Sequence, residues 1–296
     1  MSGETPGQVV RRLIRDEAPL LAPGAANALG ARLVADAGFQ AVYASGAGIA
    51  NWSLGAPDIG LTTLTEMADA MARICDAVAL PVIADADTGY GNEWNVARTV
   101  RLYERAGVAA IQLEDQVEPK RCGHFEGKEV VPPADMAAKI RAAADVRRDP
   151  ALMLIARTDA RAVEGLQAAI DRAHAYREAG ADMIFVEAPQ SETELARIGA
   201  EVPGPLVANM VEDGKTPLLP LATLGGLGFA LVLYANFAPR AAMHAMQAAL
   251  AHLRRTGSSR GFEDRIVSMD ERNRLTGLAA WQAFARRARS DGEQDR

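Results

Sequence analysis

The chain has 296 residues, 49% hydrophobic and 24% charged, with a net charge of −6. This is a globular composition, and without a long basic block it argues against a nucleic-acid partner. No run of about 18 apolar residues is present to span a bilayer, residues 1–8 lack a basic segment leading into an apolar one, and two cysteines, Cys75 and Cys122, make no disulfide framework. The cytoplasm is the expected compartment.

In chain order, short apolar runs predict strands at residues 20–22, 41–45, 81–85, 110–114, 152–157, 183–187, 205–209 and 229–234. Most are continuously apolar, as expected of parallel strands covered on both faces. Between them, residues 95–106 and 166–179 carry apolar side chains at helical spacing, and residues 71–78 read as a helix that buries Cys75. Gly38, Gly107 and Gly180 each follow an alanine where a helix should end, a place suited to glycine. Eight strand–helix units predict an α/β fold, a (β/α)8 barrel. A doubly wound open sheet is the alternative, and it lacks a Gly-x-Gly-x-x-Gly turn after the first strand.

Beyond the eighth strand come a helix at 238–255, a polar break at 256–261, an amphipathic segment at 263–287 and a polar tail at 290–296. Residues 1–296 are expected to form a single barrel domain, with the barrel at about 18–255 and a helical extension at about 262–289 that packs on a neighbouring subunit.

Active sites of such barrels lie at the C-terminal ends of the strands. Those ends are polar here: Ser45-Gly46-Ala47, Asp85-Ala86-Asp87, Glu114-Asp115, Arg157-Thr158-Asp159, Glu187, Asn209 and Tyr234. A lone acid at such a place is commonly a helix N-cap, and Asp159 is read as one. Asp85, Asp87 and Glu114 form a set of hard oxygen donors that suits Mg²⁺ or Mn²⁺ and not Zn²⁺. The plainer alternative is a structural ion-pair network with Arg157. The Arg157 fork suits a carboxylate or a forming enolate oxygen, and Ser45, Gly46 and Ala47 offer a hydroxyl and backbone N–H groups.

The fourth strand leads into Lys120-Arg121-Cys122-Gly123-His124. A thiol beside two basic side chains and a histidine has surroundings that lower a cysteine pKa, although a free cysteine in a basic loop is the bland alternative. Gly123, Gly127 and the closing Pro132-Pro133 make the segment read as a mobile lid. A metal, an arginine and a thiol on a lid together suit carbon–carbon bond cleavage through an enolate.

Ala44-Ser45-Gly46, Asp85-Ala86-Asp87-Thr88-Gly89-Tyr90-Gly91, Glu114-Asp115-Gln116, the Lys120–His124 string, Ala156-Arg157-Thr158-Asp159-Ala160 and Asn209-Met210 resemble the isocitrate lyase/phosphoenolpyruvate mutase superfamily, over roughly residues 8–285. The resemblance implies Mg²⁺, with Mn²⁺ as a substitute, held by Asp85 with Asp58, Asp87 and Glu114 acting largely through waters. It implies that Ser45, Gly46, Ala47 and Arg157 hold a 2-oxo acid product, and that Tyr43, Glu187 and Asn209 line the site. Cys122 would be the general acid/base on a gating loop, supported by His124. It also implies a homotetramer, a dimer of helix-swapped dimers, acting on a small carboxylate.

Within the superfamily, the cysteine string disfavours phosphoenolpyruvate mutases and oxaloacetate decarboxylases, and the length leaves no room for the insertions of isocitrate lyases proper. The sequence resembles lyases of the 2-methylisocitrate and 2,3-dimethylmalate type, with a carboxyphosphonoenolpyruvate-type phosphonomutase, or an oxaloacetate decarboxylase or hydrolase, as alternatives. The continuation Phe125-Glu126-Gly127-Lys128 resembles dimethylmalate lyases and carboxyphosphonoenolpyruvate mutases more than methylisocitrate lyases. A third substrate carboxylate would need a further cation, for which Lys128 and Arg240 are the candidates.

Overall fold

A computed structural model describes residues 3–16 and 19–291. Residue 18, the expected start of the barrel, and residues 292–296 of the polar tail lie outside that range. The chain divides into two compact units, Met1–Pro239 and Arg240–Arg296.

The first unit is a closed barrel of eight parallel strands in sequential order. They are β1 (Leu20–Ala25), β2 (Val42–Ala44), β3 (Val82–Asp85), β4 (Ala110–Glu114), β5 (Met153–Thr158), β6 (Met183–Val186), β7 (Leu206–Asn209) and β8 (Phe229–Tyr234). Closure comes from β1 against β8, with Leu20 opposite Leu231 and Pro23 opposite Tyr234. Each predicted strand is present, most within a residue or two of its expected limits. The eightfold strand–helix repeat thus gives the barrel and not the open sheet.

Two apolar layers result, because side chains alternate between the faces of a strand. Tyr43, Ile83, Ile155, Phe185, Val207 and Leu231 point into the barrel, while Val42, Ala84, Ile111, Leu154 and Ile184 meet the surrounding helices. Helix Pro6–Asp16, which the strand–helix pattern does not announce, adds Val10, Leu13 and Ile14 to the inner layer. These pack with Ala41, Ala109 and Met153 at the strand beginnings, so this helix closes the end of the barrel opposite the polar rim.

Gly38, Gly107 and Gly180 have φ of 83°, 93° and 110°, left-handed values that a side chain would oppose. Cys75 lies in helix Leu64–Ala77, only partly buried.

The second unit continues helix Phe237–Thr256 and adds helices Met269–Leu275 and Leu278–Asp291. The expected amphipathic segment is therefore broken, at Gly277, whose φ of 75° ends one helix before the next begins. Leu250, Leu253, Trp281 and Phe284 are exposed in this unit.

Candidate active site

The polar strand ends form one buried rim, organised in three clusters. In the first, Ser45 caps helix Gly46–Ile49 through its Oγ, which accepts from the Gly48 amide at 3.1 Å. This turn aims the Gly46 amide at Asp85, whose Oδ2 accepts it at 3.2 Å. A Cβ on residue 46 would lie 2.8 Å from the same oxygen, so only glycine allows the approach. Asp85 Oδ1 accepts the Asp87 amide at 3.2 Å. Beneath them Gln112 donates to the buried Tyr43 hydroxyl at 3.1 Å, and burial first, then the Asp85 charge, pushes that phenol's pKa well up.

In the second cluster, Lys120 Nζ lies 2.5 Å from Asp58 Oδ1 and 2.7 Å from Asp87 Oδ1. Burial opposes the ammonium charge, but Asp87, Glu114, Asp58 and Asp85 outweigh it and hold Lys120 protonated. Burial raises Asp87 to about 6 despite Lys120. The Cys122 amide donates to the Asp58 carbonyl at 3.1 Å, which seats the thiol beside this pair.

In the third, Arg157 Nε and Nη2 grip Asp159 at 2.9 and 3.1 Å, and Arg157 Nη1 lies 3.4 Å from Glu114 Oε2. Glu187 Oε2 is 3.9 Å from Arg157 Nε, and His124 Nε2 is 3.2 Å from Glu187 Oε1. His124 Nδ1 accepts the Lys215 amide at 3.2 Å, so Nε2 carries the hydrogen and faces the carboxylate. Burial raises the pKa of Glu187, but Arg157 and His124 overcome it and hold Glu187 below the usual carboxylate range.

Three expectations are corrected. Asp159 caps nothing: helix Ala160–Val163 receives no side-chain hydrogen bond from it, and its carboxylate is spent on Arg157 and Lys128. Lys128 is no spare cation, since its buried ammonium also donates to the Gly123 carbonyl at 2.5 Å. Nor is the Cys122 thiol acidified. Burial raises its pKa, the His124 amide only partly opposes this, and the neighbouring acids Asp58 and Glu187 raise it further. Lys120, one of the two basic residues that precede the thiol, is directed to Asp58 and Asp87 instead.

Ala47 is half-buried beside Gly46. Asn209 ends β7 and borders a void of ≈ 10 Å³ shared with Met210 and Thr216, and its Oδ1 is buried without a hydrogen-bond partner.

A family model described as phosphoenolpyruvate phosphomutase matches residues 10–254. The chain belongs to the phosphoenolpyruvate mutase/isocitrate lyase superfamily. It is 47% identical over 269 residues to 2,3-dimethylmalate lyase of Eubacterium barkeri, covering 91% of this chain and 93% of that one. It is 44% identical to 2-methylisocitrate lyase of Salmonella typhimurium, covering 92% of each. A crystal structure of 2,3-dimethylmalate lyase superposes with a TM-score of 0.91 at 36% identity, covering 96% of both chains. A phosphonopyruvate hydrolase solved with oxalate and Mg²⁺ has a TM-score of 0.85 at 33% identity, covering 95% of this chain and 98% of that one.

As a member of this enzyme superfamily, the chain carries its polar rim on a closed barrel of parallel strands. Among the described residues no three His, Cys, Asp or Glu side chains are gathered closely enough to wrap a metal ion by themselves. The donor set nonetheless suits a hard cation: Asp85 accepts from the Gly46 and Asp87 backbone amides, and Glu114 Oε1 is buried without a hydrogen-bond partner. Mg²⁺ needs only one or two carboxylates and retains waters.

Proposed function

We propose that this enzyme is a Mg²⁺-dependent carbon–carbon lyase that cleaves a 2-hydroxy dicarboxylate of the 2,3-dimethylmalate type to a 2-oxo acid and a second carboxylate. The observation that carries the reading is the approach of the Cys122 segment to the anion-binding rim. A Cβ on Gly123 would stand 2.5 Å from both Arg157 Nη2 and Glu187 Oε1. This close approach of the adjoining residue supports the reading of the thiol as a group at the mouth of the site.

Asp85 would hold Mg²⁺, with Asp58, Asp87 and Glu114 reaching it through waters; Mn²⁺ has the same donor preference. When bound, the ion withdraws charge from the substrate's hydroxyl and carboxylate oxygens. Arg157 and the Ser45, Gly46 and Ala47 turn orient the 2-oxo acid half, and Tyr43 and Asn209 bound the space around it. The 2-hydroxyl proton passes to the acid cluster as its oxygen becomes the carbonyl. The electron pair of the breaking bond moves onto the departing fragment, and Cys122 donates a proton to that carbon. A thiol kept protonated by burial is suited to this donation. His124 orients the segment through Glu187.

The dicarboxylate is favoured over a tricarboxylate because the rim cations are already paired: Arg157 with Asp159, Lys120 with Asp58 and Asp87, and Lys128 with Asp159. Phe125 is exposed and offers no charge.

We infer a cytoplasmic homotetramer of helix-swapped dimers, supported by the exposed Leu250, Leu253, Trp281 and Phe284 of the second unit. No described helix is long and apolar enough to cross a membrane.

A panel of 2-hydroxy diacids and triacids, assayed with Mg²⁺ for released 2-oxo acid, tests the reading. Cys122→Ser should lower turnover of the best substrate by about 10²–10⁴-fold while Mg²⁺ plus oxalate still raises the melting temperature. Near-normal turnover of the variant would defeat it. Turnover of a phosphonate or of oxaloacetate, with none on 2-methylmalates, would favour the mutase or hydrolase branch.

A further inference from the structure

Lys128 is the least expected charge in this chain. Its side chain is 1% exposed, and it joins three parts of the site from within. Nζ donates to the Gly123 carbonyl at 2.5 Å and to Asp159 Oδ1 at 2.7 Å. Asp159, itself 0% exposed, holds Arg157 with its two oxygens. Gly123 lies so close to Arg157 and Glu187 that it admits no side chain. One ammonium thus ties the backbone beside Cys122 to the carboxylate that fixes the anion-binding arginine.

A buried ammonium persists only while hydrogen-bonded and paired. Lys128 and Gly123 both belong to the segment, so it is the bond to Asp159 that exists only while the segment lies on the rim. If the segment lifts, Lys128 must give up Asp159. Other ties of the segment are Lys120 to Asp58 and Asp87, the Cys122 amide to the Asp58 carbonyl and the Lys215 amide to His124 Nδ1. The pair of Lys215 Nζ with Glu126, a carboxylate that is 89% exposed, contributes little.

We propose that Lys128 is a positioning residue, a latch whose ammonium ties the glycine end of the Cys122 segment to the rim and aligns Asp159 and Arg157 in the same act. Lys128 does not touch the reacting atoms. The proposal rests on the reading that the segment closes over a bound carboxylate.

The test uses Lys128→Met and Lys128→Arg in the full chain, each first checked for a cooperative melt. The readout is the rate of Cys122 alkylation by iodoacetamide with Mg²⁺ alone and with Mg²⁺ plus oxalate, using Cys75 as the internal reference. Wild type should be protected by oxalate. Lys128→Met should be alkylated at least about tenfold faster than wild type under that protection, with kcat/KM reduced about 10²-fold. Lys128→Arg, which keeps the charge and the donors, should recover part of both. Equal protection in Lys128→Met and wild type overturns the latch and leaves the proposed function standing. Absence of protection in wild type overturns the closing segment and the latch with it. If neither variant melts cooperatively, the same alkylation assay on Asp159→Asn decides: protection as strong as in wild type overturns the latch, and lost protection supports it.

Discussion

Asp159 holds Arg157 as a fork holds a fork. Oδ2 accepts from Nε at 2.9 Å and Oδ1 from Nη2 at 3.1 Å, with both residues buried. Bidentate pairing of this kind fixes the plane of the guanidinium. Burial works against the Asp159 charge, but Arg157 and Lys128 outweigh it and lower the pKa from 3.8 to about 2. Native Asp159 therefore binds its proton less readily than the unfolded chain does. The resulting stability is fully present above about pH 4 and is lost as the pH falls towards 2. Asp159→Asn should cost at least roughly 2 kcal/mol at pH 7, with the difference from wild type shrinking between pH 4 and pH 2. Urea denaturation at a series of pH values measures it, and a constant difference across that window would refute the assignment.

Gly123 faces Arg157 and Glu187 across a gap that has no room for a methyl group. Gly123→Ala should leave the barrel intact, because the segment lies on the rim and outside the two apolar layers. It should lower kcat/KM by about 10²-fold, the usual loss for a displacement of about 1 Å. Steady-state kinetics beside a thermal melt separates the two effects. A melting temperature that collapses along with activity would mean that the segment is part of the fold's support.

The Cys122 thiol should be sluggish for a cysteine in a basic string. Burial, Asp58 and Glu187 all raise its pKa. The thiolate is the reactive form, so the pH profile of its alkylation in the ligand-free enzyme should have a midpoint above that of free cysteine. Cys75, raised to about 11 by burial alone, should react slowly too. Rapid alkylation of Cys122 at pH 6 would contradict the burial seen here.

The strands were legible because a parallel strand in a barrel is covered on both sides and reads as an unbroken apolar run, as Phe229–Tyr234 does. The rim acids were legible because polar residues at the ends of such runs have few other reasons to be there. What lay beyond reach was pairing. Asp159 looks like a cap until Lys128, 31 positions earlier, is seen folded back onto it. Lys120 looks like an activator of the next thiol until it is found between Asp58, 62 positions away, and Asp87. Neighbourhood in sequence gave the wrong electrostatics for Cys122 because burial, invisible in one dimension, outweighs adjacent charge. Helix Pro6–Asp16 was missed because it follows no strand and so stands outside the repeat.

Asp87 has a left-handed backbone, with φ of 47°, and its carboxylate is buried. Both features cost free energy, and the Lys120 ammonium 2.7 Å from the carboxylate offsets the second only in part. Asparagine or glycine would ease the backbone and discard the charge. On the proposed role of Asp87 beside the metal, a laboratory evolution campaign that rewards heat resistance alone will drift at position 87 towards those two residues, yielding hardy proteins of low turnover. Under that role, thermal survival and turnover have to be selected together.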